Sequence, residues 1–127
     1  MIRDRKTSDL ISAVPSYWTQ MDATRLAHLI ESGVPPLVLD VRSAREFDAG
    51  HIRGARHRPF QLTVAGLPGV GRDQPIVVYC GHGPRAQFAA WMLRLHGFSQ
   101  VACLTGHMAE WRRRELPEAS GARASPP

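Results

Sequence analysis

The 127-residue sequence has only two cysteines, Cys80 and Cys103, and no run of about 18 apolar residues. Two cysteines are too few for a disulfide framework, so we expect a reducing cytoplasm that keeps Cys80 available as a thiol. The apolar runs are too short for a membrane-spanning helix, and we expect no membrane partner. The charged start of the chain precedes no long apolar run, so we predict no signal peptide.

Acidic residues are outnumbered, and the formal net charge is +5. Most of this excess lies in residues 1–9 and 112–127, outside the central part of the chain. Basic residues are not interleaved with aromatic ones in the pattern that single-strand binding proteins use. We therefore expect no nucleic-acid partner.

Short apolar runs alternate with patterns typical of helices, which predicts an α/β fold with a parallel sheet covered on both faces. We expect one domain over residues 16–115, a flexible lead at 1–15 and a disordered tail at 116–127, which is rich in Pro, Ala, Ser and Gly. The clearest predicted strands are Leu37–Leu39, Ile76–Tyr79 and Val101–Leu104. Large side chains at helical spacing, Trp91, Met92 and Leu95, are predicted to be in the core, as is Cys103.

The segment from Cys80 to Ala86 joins a predicted strand to a predicted helix. A thiol at a helix start lies near free N–H groups and the positive end of the helix dipole, which favour its ionised form. Gly81 and Gly83 allow the backbone to curl close to the sulfur. The pattern predicts a sulfur nucleophile that faces an anionic substrate.

Two other interpretations of this segment are possible. Residues 81–86 satisfy the dinucleotide-binding fingerprint, but the required acidic residue about 20 positions later is missing. Cysteine phosphatases have five residues between the cysteine and the arginine of their loop, whereas four separate Cys80 from Arg85. The smaller ring suits a single sulfur atom better than a phosphate, so a small cysteine phosphatase or arsenate reductase is a less favoured alternative.

Several motifs in order make the chain resemble the single-domain rhodaneses, over roughly residues 17–112. They are Leu39-Asp40-Val41-Arg42, Arg45-Glu46-Phe47, residues 50–55, Ile76–Cys80 with the following loop, and residues 104–111. The resemblance implies an α/β, rhodanese-like fold, with a five-stranded parallel sheet flanked by helices on both faces. It also implies a sulfurtransferase; a non-catalytic regulatory or binding module of the same fold is the main alternative.

The resemblance also implies the chemistry of the site. Cys80 would take a sulfane sulfur from a small anionic donor such as thiosulfate, and pass it to cyanide, a protein thiol or a low-molecular-weight thiol. N–H groups from Gly81 through Gly83 to Ala86 would surround the persulfide. No metal or organic cofactor is needed, because the covalently bound sulfur is the group that is carried.

Side chains around the loop have further predicted roles. Arg85 would hold the donor's oxygens or offset charge at the sulfur, and His82 could assist as a partial cation. We expect Asp40 to bind loop N–H groups or to orient Arg45. The sequence also departs from the family pattern, because Ala86 replaces a common serine or threonine, and Thr105 and His107 replace an acidic residue and a glycine.

Overall fold

Strands and helices alternate over residues 19–121, the part of the chain that the computed structural model describes. Its strands are β1 (Gln20–Met21), β2 (Leu37–Asp40), β3 (His51–Ile52), β4 (Arg56–His57), β5 (Ile76–Tyr79), β6 (Val101–Leu104) and β7 (Glu118–Ala119). Its helices are α1 (Ala23–Glu31), α2 (Ala44–Ala49), a 3-10 helix (Phe60–Ala65), α3 (Pro84–Leu95) and α4 (His107–Arg113).

Five strands form one sheet in the order β1-β6-β5-β2-β4, and every neighbouring pair is parallel. The predicted five-stranded parallel sheet is therefore confirmed. Asp40 at the end of β2 lies in register with Tyr79 at the end of β5. The residues that follow these two strands consequently meet at the carboxyl edge of the sheet, and β5 delivers Cys80 to the middle of that edge.

Both faces of the sheet are covered, because alternate residues of each strand point to opposite sides. Ile76 and Val78 of β5 pack in the core that includes α3, and Val77 and Tyr79 pack in the core that includes α1 and α4. Trp111 of α4 is fully buried in the second core. The two layers bury the central strands beneath the loop that begins at Cys80.

Helix α3 packs through small side chains, and the predicted burial of two of its large residues is wrong. Trp91 is 54% exposed and Leu95 is 66% exposed. The buried residues of this helix are Ala86, Ala89, Ala90 and Leu93. Alanines allow a helix to lie close to a sheet, whereas the prediction rested on the size and helical spacing of Trp91, Met92 and Leu95.

The segment after α4 is ordered, so the predicted disorder from residue 116 is wrong for residues 116–121. Strand β7 pairs antiparallel with β3, and the Trp111 indole N–H donates to the Pro117 carbonyl at 3.0 Å. Residues 1–18 and 122–127 lie outside the described part, and the flexible lead at 1–15 stays a prediction.

No helix within residues 19–121 combines the length and the apolar character needed to cross a bilayer.

Candidate active site

The loop at the end of β5 is shaped by glycine and proline. Gly83 has a φ of 142°, a conformation that strongly favours glycine. Pro84 occupies the first turn of α3, where its fixed φ suits a helix and its missing N–H costs nothing. The chain can therefore turn from strand to helix within a few residues and still return close to Cys80.

Two backbone amides donate to the sulfur of Cys80. The Gly83 N–H lies 3.0 Å from Sγ, and the Ala86 N–H lies 3.4 Å from it. Both donors belong to the start of α3, where unpaired N–H groups favour a negative charge. We predicted that N–H groups from about Gly81 to Ala86 surround the persulfide, and within residues 81–86 the hydrogen bonds to the unmodified sulfur come from Gly83 and Ala86.

The first amides of α4 hold the other side of the loop. The Met108 N–H donates to the Cys80 carbonyl at 3.0 Å, and the Ala109 N–H donates to the Gly81 carbonyl at 3.3 Å. These bonds satisfy two carbonyl oxygens that would otherwise repel an anion near the sulfur. The loop is thus clamped between the starts of two helices.

Cys80 has no exposed surface in this conformation. The expectation that it faces its substrate directly therefore needs correction, because a donor reaches the sulfur only when the loop rim moves. The rim includes Gly81, which is half-buried, and His82, which is exposed. Glycine lowers the cost of such a movement, since it tolerates a wide range of backbone angles.

The sequence suggested that Arg85 presents a free positive charge to the sulfur, but in this structure that charge is paired. Its guanidinium binds Glu46 through two contacts, Nη1 to Oε1 at 2.7 Å and Nη2 to Oε2 at 3.1 Å. This pairing lowers the pKa of Glu46 to about 2, with help from Ser43. Arg85 is therefore neutralised by a residue of α2 in this structure.

Asp40 is fully buried beneath the loop. We predicted that it binds loop amides or orients Arg45, but among the described residues its carboxylate has other partners. Its carboxylate accepts from the Arg42 guanidinium at 2.7 Å and from the Tyr79 hydroxyl at 2.7 Å. Arg45 is exposed on α2, and no hydrogen bond joins it to Asp40 within residues 19–121. Arg42 also donates to the Gly50 carbonyl at 2.7 Å, so this network fixes the residue that precedes Cys80.

His107 is a site residue for which the sequence predicted no role. Its Nδ1 accepts from the Cys80 N–H at 3.3 Å, which places the ring proton on Nε2 when the imidazole is neutral. Burial lowers the pKa of His107, and the charge of His82 lowers it further. The sequence did carry a signal for this role, because His107 replaces the family's usual glycine. The position keeps a left-handed φ of 54°, which a non-glycine residue rarely adopts.

Protonation of His107 should destabilise the fold. The neutral imidazole is favoured in the folded state, so its contribution is present above the ordinary histidine pKa of about 6.5 and is lost as the pH falls below it. We expect the free energy of unfolding of the wild type to fall more between pH 7.5 and pH 5.5 than that of His107→Asn. Asparagine tolerates the left-handed conformation and does not titrate. Urea unfolding at both pH values measures this, and parallel losses would contradict it.

Cys103 is confirmed as a core residue. Its Sγ lies 3.8 Å from the Ala86 carbonyl oxygen. Burial raises the pKa of Cys103 to about 11, and the nearby charge of Cys80 adds to the effect. Cys103 is therefore a thiol at neutral pH, and within the described residues 19–121 no backbone amide donates to its sulfur.

Comparison with known proteins places this loop in a family context. The family described as "Rhodanese-like domain" matches residues 22–114. A thiosulfate sulfurtransferase GlpE of Pseudomonas putida is 41% identical over 76 residues, which are 60% of this chain and 69% of that protein. A GlpE of Vibrio cholerae with the same name is 36% identical over 80 residues, 63% of this chain and 76% of its own length.

Solved structures agree with these matches. The rhodanese-like domain of the Anabaena sp. Alr3790 protein has a TM-score of 0.73 at 30% identity, over 85% of this chain and 83% of that one. A thiosulfate sulfurtransferase from Pseudomonas aeruginosa has a TM-score of 0.72 at 25% identity, over 81% of this chain but only 20% of that chain. The predicted rhodanese-like fold is thereby confirmed.

Proposed function

The chain belongs to the family of rhodanese-like domains, and on that premise we propose that it transfers a sulfane sulfur through a persulfide on Cys80. The observation that carries this proposal is the pair of amide donors, from Gly83 and Ala86, on the Cys80 sulfur. Such donors stabilise a negative charge on sulfur without a counter-ion that would have to be displaced. The relatives named thiosulfate sulfurtransferase support the same reaction class.

The first half-reaction loads the enzyme. The Cys80 thiolate attacks the outer sulfur of thiosulfate, a new sulfur–sulfur bond forms, and the donor's own sulfur–sulfur bond breaks. Sulfite leaves with the electron pair of that bond, and Cys80 carries a persulfide anion. The amide N–H groups of Gly83 and Ala86 donate to the attacking sulfur, and no proton donor is needed at this step because sulfite leaves as an anion.

The second half-reaction discharges the persulfide. A nucleophile such as cyanide or a thiolate attacks the outer sulfur, and the Cys80 thiolate leaves with its electrons. The acceptor is cyanide, a low-molecular-weight thiol or a protein thiol. Because Cys80 must be a free thiol between turnovers, a reducing compartment such as the cytoplasm suits the protein.

The remaining residues of the site support these steps. Gly81, His82 and Arg85 form the rim that a donor crosses. Arg85 binds the donor's oxygens after its ion pair with Glu46 opens. His107 fixes the Cys80 amide. Asp40 acts through Tyr79, the residue directly before Cys80, and is therefore a positioning residue.

Steady-state kinetics test the proposal. With thiosulfate and cyanide as substrates, the protein should form thiocyanate, and double-reciprocal plots at several cyanide concentrations should be parallel, as a ping-pong mechanism requires. The control without enzyme gives the background reaction. Absence of thiocyanate with thiosulfate and with other sulfane donors would contradict the proposal and favour a binding module.

A further inference from the structure

Glu46 occupies the two donor positions of Arg85 that an oxyanion would use. A planar guanidinium binds a carboxylate or an oxyanion in the same two-point fashion. Here both Glu46 oxygens are engaged, at 2.7 and 3.1 Å from the two terminal nitrogens. Both side chains are about a third exposed, so an anion from solvent competes directly with Glu46 for Arg85.

Glu46 is held in place independently of Arg85. Its Oε1 accepts from the Ser43 N–H at 3.0 Å and from the Ser43 hydroxyl at 2.9 Å, and the Glu46 N–H donates back to that hydroxyl at 3.2 Å. This reciprocal cap begins helix α2. The carboxylate therefore stays beside the loop when Arg85 moves away from it.

The ion pair lies at the rim of the sulfur loop. A side chain at Gly81 would come within 3.4 Å of the Arg85 guanidinium, which places the cation against the second residue of the loop. The carboxylate of Glu46 thus offsets the positive charge that Arg85 would otherwise present beside the loop. An incoming anion therefore meets a paired guanidinium rather than a free cation.

We infer that Glu46 is a specificity-determining residue that selects monoanionic sulfur donors over dianionic ones. This inference rests on the proposed function, because it concerns the loading of Cys80. Because electrostatic energy scales with charge, the Glu46 carboxylate disfavours a dianion such as thiosulfate more than it disfavours a monoanion. Removal of the Glu46 charge leaves Arg85 free to compensate the second charge of the dianion.

A matched pair of donors isolates this charge effect. Thiosulfate is a dianion and methanethiosulfonate is a monoanion, and both present an outer sulfur bonded to an oxidised sulfur. In both cases the Cys80 thiolate forms a bond to the outer sulfur and the donor's sulfur–sulfur bond breaks. The electron pair leaves with sulfite in the first case and with methanesulfinate in the second.

The test compares Glu46→Gln with the wild type. Glutamine can keep the reciprocal cap with Ser43, so the variant removes charge with little change in the start of α2. Glu31→Gln is the control, because Glu31 ends α1, before β2 begins, and so lies toward the opposite edge of the sheet. The second-order rate constant for sulfur loading is measured by intact mass, without acceptor, for each donor at low and high salt.

We expect the ratio of the thiosulfate to the methanethiosulfonate rate constant to rise about tenfold in Glu46→Gln at low salt, the scale of one charge interaction in a partly solvated site. High salt should reduce this gain, and Glu31→Gln should keep the wild-type ratio. An unchanged ratio, or an equal loss with both donors, would overturn the inference alone. A wild-type protein that takes sulfur from neither donor would overturn the proposed function, and the inference with it.

Discussion

Replacement of Cys80 by serine is expected to reduce sulfur transfer by roughly 10³-fold or more, because the transfer proceeds through one covalent intermediate. A serine hydroxyl remains protonated near neutral pH and cannot store a sulfane sulfur. Serine is nearly the same size as cysteine, so its hydroxyl oxygen can accept hydrogen bonds from the same N–H groups, those of Gly83 and Ala86. The loop should therefore keep its shape. Thiocyanate formation from thiosulfate and cyanide measures the loss.

The matched control is Cys103→Ser. Cys103 is buried beside the carbonyl of Ala86, and a hydroxyl there has an acceptor within reach. We expect this variant to retain sulfur transfer. If Cys80→Ser keeps substantial activity, or if Cys103→Ser loses it to the same extent, the assignment of Cys80 as the carrier is wrong.

Replacement of Asp40 by alanine is expected to lower the free energy of unfolding by about 3–5 kcal/mol, because it leaves the buried Arg42 guanidinium without its counter-charge. The Tyr79 hydroxyl also loses its acceptor. Such a loss is a large part of the total stability of a typical domain, about 5–15 kcal/mol. Urea unfolding monitored by tryptophan fluorescence measures it.

The double variant Asp40→Ala, Arg42→Met separates charge from packing. Removal of both charges of a buried pair costs far less than removal of one, so the double variant should be more stable than Asp40→Ala alone. Asp40→Asn keeps one acceptor oxygen and should be intermediate, which is useful if the alanine variant does not fold. A loss below about 1 kcal/mol for Asp40→Ala would show that Arg42 finds another partner.

The strands predicted from the sequence are those whose residues form a recognisable local pattern. β2, β5 and β6 are central strands buried on both faces, so they appear as continuous apolar runs. β1, β3 and β7 have only two residues each and carry no such pattern. Their pairing depends on strands far away in the chain, which a local pattern does not reveal.

The same distinction applies to the site. The hydrogen bonds from Gly83 and Ala86 to the Cys80 sulfur span three and six residues. Glycines ahead of a helix start were the local pattern that predicted amide donors to this sulfur. The contacts that were missed join residues far apart. Glu46 and Arg85 are 39 positions apart, and Cys80 and His107 are 27 apart. These contacts depend on which side chains meet at the shared sheet edge.

The most direct test of the account is the mass of the protein after exposure to thiosulfate, followed by mapping of the peptides that contain Cys80 and Cys103. We predict a gain of one sulfur atom on the Cys80 peptide, removed by cyanide, with the Cys103 peptide unchanged. A protein whose mass does not change with any sulfane donor, or whose added sulfur lies on Cys103, would contradict the claim that the amide-bound sulfur of Cys80 is the carrier.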